Sequence, residues 1–146
     1  MATPIPPPTQ PSAQINTALL VLRIASAMAF LYHGSAILFG AFGGPGPEKF
    51  SDFIHAPHVI GYLVGLAQVA GGLAILSGVL IRIGAACVIV VMIGAIYLVH
   101  LPHGFDIGKG GFEYSLTQLL IAVALLIAGP GKYSLSSLLP ARLRKL

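Results

Sequence analysis

An all-α integral membrane fold, four apolar helices packed as a bundle, is what this 146-residue sequence predicts. Three observations carry that expectation. Hydrophobic residues make up 56% of the chain and charged residues 8%, with a mean hydropathy of +0.91; soluble domains carry roughly a quarter charged residues, so twelve charges cannot cover a soluble surface. The apolar residues fall into four long runs, and a helix needs about twenty residues to cross roughly 30 Å of hydrocarbon. Prolines and glycines punctuate the ends of those runs and leave their interiors free of proline. The same scarcity of charge excludes disorder, coiled coil and nucleic-acid binding.

Each element follows in order. Residues 1–16 open with MATPIPPPTQPSAQ, which holds five prolines and no charge, and are expected to form an extended tail rather than a signal peptide. Asn16 is the expected N-cap of the first helix. The transmembrane domain is placed at 17–131, with spans at about 17–39, 59–79, 82–100 and 113–129. Between the first two spans, Pro47 can open a short helix that puts Phe50, Phe53 and Ile54 on one face, so an interfacial helix is expected in this loop. Residues 132–146 form a basic tail.

Lysine and arginine set the expected orientation. Arg23, Arg82, Lys132, Arg142, Arg144 and Lys145 fall on the side of the termini and only Lys49 and Lys109 on the other, which places both termini in the cytoplasm of a prokaryotic inner membrane. Arg142, Arg144 and Lys145 then suit an anionic membrane surface. Arg23, about 9 Å inside its span, is expected to snorkel to that surface. All five histidines and all four acids map to the outer half: His33, Glu48, Asp52, His55, His58, His100, His103, Asp106 and Glu113.

Within the spans, His33, Gln68, Tyr97 and Gln118 give each helix one polar group in its outer third, with Glu113 at the head of the fourth. Lipid offers such groups no partner, so they are expected to face the bundle interior. There they form either an interhelical hydrogen-bond layer or a small ligand pocket. Gly61, Gly65 and Gly72 share a face with Gln68 and are expected to let a neighbouring helix approach closely. His55-x-x-His58 and His100-x-x-His103 have metal-like spacing, but Pro57 and Pro102 break any helical presentation, so no metal site is assigned. A single cysteine, Cys87, excludes an intrachain disulfide. No nucleophile–base constellation or phosphate-binding loop is recognisable.

Several motifs in order resemble the DoxX family: Tyr32-His33-Gly34, Gln68-Val-Ala-Gly71-Gly72, Gly78-x-x-x-Arg82, Glu113, and Gly129-Pro130-Gly131-Lys-Tyr-Ser134-Leu135. The resemblance runs over about residues 17 to 136. It implies a four-helix membrane protein linked to quinone-coupled oxidation of sulfur compounds or to assemblies that handle oxidative stress. Two positions depart from the pattern: Gln68 and Ser136 stand where members often carry an acid. An amide does not ionise in the working range, so a central proton carrier is missing.

The expected function is a non-catalytic accessory or quinone-interacting subunit of a larger membrane redox complex, with quinone the candidate cofactor and other membrane subunits the partners. Its alternatives are a quinone-linked oxidoreductase subunit acting on a small sulfur substrate, and a small-molecule transporter. The last is disfavoured because the spans show no internal repeat.

Overall fold

The computed structural model describes residues 12–140 and Arg142. The prolines of the N-terminal tail up to Pro11, together with Arg144 and Lys145, lie outside the described residues. Among the described residues every regular element is helical: α1 (Ala13–Phe39), α2 (Gly46–Phe53), α3 (His58–Ser77), α4 (Ile81–Ala95) and α5 (Glu113–Ala128). Past Ala95, α4 continues through a π-helical turn (Ile96–His100) and a 3-10 turn (Leu101–His103). Three helices, Ala13–Phe39, His58–Ser77 and Ile81–His103, are long and apolar enough to cross a membrane. The apolar α5 is 16 residues long.

Helix ends follow the local chemistry, with one correction. The first helix begins at Ala13, four residues earlier than the expected Thr17, because Ser12 is its N-cap and its side chain accepts from Ile15 N–H at 3.3 Å. Asn16 therefore sits inside the first turn and is 5% exposed. Pro57 precedes α3, and Gly78 closes α3 at a φ of 75°, the left-handed region where a side chain is strained.

The helices pack antiparallel in chain order, and glycines set how closely. A Cβ at Gly65 would lie 2.8 Å from Leu38 Cβ and one at Gly72 would lie 3.1 Å from Leu31, so the predicted small face of α3 does admit α1. Gly61 faces α2 instead, against Pro47 and Ser51. A second contact, unseen in the sequence, joins α3 to α4: a Cβ at Gly71 would stand 3.1 Å from the carbonyl of Gly84, and one at Gly84 would stand 3.0 Å from that of Gly71. Leu19, Ala27, Phe30, Ile75, Ile81, Val88, Met92, Ala122 and Leu125 fill the centre.

The short helix after the first span exists, and a serine ties it to α3. Phe53 is 65% exposed and Ile54 falls past the helix end. Ser51 is wholly buried; its hydroxyl accepts from Gly61 N–H at 2.9 Å and donates to the Pro47 carbonyl at 2.9 Å. A serine caps the junction because the small face of Gly61 leaves no room for a larger side chain.

Candidate functional site: an aromatic cluster and a buried amide layer

The topology gathers the histidines and acids at one end, where α1 finishes, α3 and α5 begin and the α4 extension ends. Arg23, Arg82 and Lys132 lie at the opposite end. Two constellations occupy the histidine end. The first is aromatic. Phe42 stacks on Tyr32 at 4.8 Å, Tyr32 meets the His33 ring edge-on at 5.3 Å, and His33 lies 6.2 Å from Tyr114 of α5. Phe42 holds a left-handed backbone with φ of 57°. A non-glycine residue there is strained by roughly 1–3 kcal/mol, and the stacked rings of Tyr32 and Phe42 hold it in place. Tyr32 and Phe42 stay 50% and 70% exposed, so the row of rings opens to the surface of the bundle.

The second constellation is buried. Ser26 donates to Gln118 Oε1 at 3.2 Å, joining α1 to α5. Gln118 lies one turn beyond Tyr114 on α5, so this layer adjoins the aromatic row. Gln68, 4% exposed, packs its Cβ beside Gly34, the residue after His33. Its amide makes no side-chain hydrogen bond among the described residues, and no sealed side-chain nitrogen or oxygen lacks a partner there. The Gln68 amide therefore keeps a narrow opening to its surroundings.

These placements sort the sequence candidates. Gln68 and Gln118 are interior as expected. His33 does not face the interior as expected: it is exposed, sits in the aromatic row, and no hydrogen bond joins it to Gln68. Tyr97 does not join the layer: it lies in the π-helical turn, is 68% exposed, and falls off the Ile81, Gly84, Ala85, Val88, Met92 face that α4 buries. Glu113 does not reach the layer either; its carboxylate accepts from Ile107 N–H at 3.3 Å and pins the preceding loop. Three of the remaining histidines have local partners. His58 pairs with Asp52 at 3.0 Å, His100 Nδ1 contacts the Gly110 carbonyl at 2.7 Å, and His103 Nδ1 the Val99 carbonyl at 3.1 Å. Among the described residues, no three His, Cys, Asp or Glu side chains converge.

Arg23 overturns its expectation. It does not snorkel: at 1% exposure it donates from Nε to the Ile75 carbonyl at 2.8 Å, from Nη1 to the Pro130 and Tyr133 carbonyls at 2.9 and 2.6 Å, and from Nη2 to the Leu76 carbonyl. One guanidinium thus satisfies the end of α3 and the loop after α5. Asn16 assists, its Oδ1 accepting from Lys132 N–H at 2.7 Å. The positions of Arg23 and Ser26 could have been found from the stripe of α1, where polar or small residues recur at 16, 23, 26, 27 and 34.

A chain whose regular elements are all helical among the described residues, with three spanning-length apolar helices, is an integral membrane protein. Within that class it belongs to the DoxX family, whose pattern matches residues 18–101. It is 30% identical over 114 residues to a Bacillus subtilis (strain 168) protein named "Putative oxidoreductase CatD", covering 78% of this chain and 81% of that one. It is 34% identical over 109 residues to "Uncharacterized membrane protein Rv3486" of Mycobacterium tuberculosis (strain ATCC 25618 / H37Rv), covering 66% of each. No solved structure matches the chain.

Proposed function

We propose that this chain is an accessory membrane subunit of a redox assembly that receives a quinone headgroup at the histidine end of its bundle. The observation that supports the reading is a partly open amide, Gln68, packed beside Gly34 and without a side-chain hydrogen bond among the described residues, in a bundle whose histidine end also carries an open row of rings. A quinone offers a flat ring and two carbonyl acceptors. The ring would lie along Tyr32 and Phe42, and the carbonyls would accept from the His33 ring N–H and the Gln68 amide. The quinone supplies the redox couple when bound; the chain's own residues bind it, orient it and keep one face apolar. Membership of the DoxX family and likeness to a protein named as an oxidoreductase support a redox role. Other membrane subunits would deliver the electrons.

In the same reading both termini face the cytoplasm, α5 forms the fourth crossing and α2 lies at the outer interface with Phe53 toward lipid. The 16 residues of α5 rise about 24 Å, so the bilayer would be a few ångströms thinner beside it.

Calorimetric titration of the detergent-solubilised protein with a short-chain ubiquinone tests the reading. Saturable binding is expected, with His33→Ala and Gln68→Ala each weakening it about fivefold, the worth of one hydrogen bond. Equal binding by both variants and the parent protein would remove the headgroup site.

A further inference from the structure

The opposite end of the bundle carries a groove that the quinone reading does not use. Its walls are Leu20 of α1, Leu73 and Leu76 of α3, and Leu135 beyond α5; its polar rim is Ser77, Lys132, Tyr133 and Ser134, with Arg23 at its base. Leu73 and Leu135 are 54% and 55% exposed, so the apolar walls open toward lipid.

Its charge is unbalanced. Arg23 donates only to carbonyl oxygens, and the one ion pair among the described residues, His58 with Asp52, lies at the other end of α3. That is about 30 Å away, given the 20 residues of α3. The carbonyls at the C-terminus of α3 offset about half a charge, which leaves the groove with about one and a half positive charges from Arg23 and Lys132. The guanidinium has five N–H donors, and four are engaged by the carbonyls named above. Lys132, exposed, has no hydrogen-bond or ion partner of its own side chain among the described residues.

We propose that this groove binds an anionic phospholipid, its phosphate held by Lys132, with the hydroxyls of Ser77 and Ser134 turning to it from the Leu73 and Gly131 carbonyls they donate to here, and one acyl chain lying along Leu20, Leu73 and Leu76. A phosphodiester fits where a carboxylate side chain is missing. It is an acceptor-only anion that takes Lys and hydroxyl donors together, and its attached chains match leucine walls that open into the bilayer. A soluble anion would leave those walls uncovered. Basic pockets between membrane helices recognise such headgroups by the same combination. Tyr133, 46% exposed at the rim, suits the headgroup level where amphipathic rings concentrate.

Native mass spectrometry of the full chain, released from micelles with added dioleoyl phosphatidylglycerol or dioleoyl phosphatidylcholine, tests the proposal. One retained phosphatidylglycerol is expected in preference to phosphatidylcholine. Lys132→Ser should reduce that preference about fivefold, the effect of one cation near an anionic headgroup. Leu73→Trp, which narrows the groove from its apolar wall, should reduce retention of the lipid while the helical circular dichroism stays that of the parent. Millimolar inorganic phosphate should not displace the lipid. Equal retention of both lipids, unchanged preference in Lys132→Ser together with unchanged retention in Leu73→Trp, or complete displacement by inorganic phosphate would each overturn the proposal.

Discussion

Arg23 shows how much one side chain can organise when lipid surrounds it. A cation in a span is costly, and its usual remedy is to reach the interface. Here the guanidinium instead turns inward, because the α3 terminus and the loop after α5 present four carbonyl acceptors within its reach. Arg23→Met should therefore lower stability by about 3 kcal/mol or more, since it leaves several buried carbonyls unsatisfied. Arg23→Lys should recover less than half of that, because a point charge cannot span four acceptors as a planar fork does. Thermal unfolding in detergent, read by circular dichroism, checks both. The Ser26–Gln118 bond is a smaller matter. A double-mutant cycle of Ser26→Ala with Gln118→Leu should give a coupling of about 0.6 kcal/mol, the mean for hydrogen bonds between membrane helices, and a coupling indistinguishable from zero would mean the bond contributes nothing to packing.

Glycines decide the contacts between elements. Gly65 has Leu38 of α1 against it, whereas a Cβ on Gly94 of α4 would meet nothing within 4 Å. Gly65→Val should accordingly destabilise the fold by about 1–3 kcal/mol through overpacking, while Gly94→Ala should be neutral or stabilising by up to about 1 kcal/mol. Parallel unfolding curves of the two variants make the comparison, and similar losses in both would show that the close approach of α1 and α3 is not what these glycines provide. The glycine face of α3 was legible because Gly61, Gly65 and Gly72 recur at helical spacing on one side. The Gly71–Gly84 contact was not, since single glycines on two helices carry no register until the helices pack. The docking of α2 was half legible: Pro47 marks its start, but Ser51 looks like any loop serine until Gly61 comes against it. The outward position of Tyr97 depends on a π-helical turn, and an extra residue in one turn leaves no mark in the periodicity.

For the whole molecule, charge placement is the main constraint. Cations at the Arg23 end and acids with histidines at the other were readable directly from the order of residues. Which side chains meet was not, because the rotation of each helix depends on its neighbours. The orientation can be measured. In a Cys87→Ser background, cysteines placed at Lys132 and at Asp106 should react with an impermeant maleimide from opposite sides of the membrane, the first only from the cytoplasmic side. Reaction of both from one side would leave an odd number of crossings and reduce α5 to a surface helix.

The partners of Arg23 also bear on how the chain is made. Two of its acceptors lie in the α3 turn, more than fifty residues downstream, and two lie more than a hundred residues downstream, in the last loop. A cation laid down in α1 therefore gains half of its acceptors only when α3 has been made, and the other half only when the loop after α5 has followed. The order of synthesis makes Pro130 and Tyr133 the last pieces of the Arg23 site. A residue made early is thus the latch that a much later loop closes.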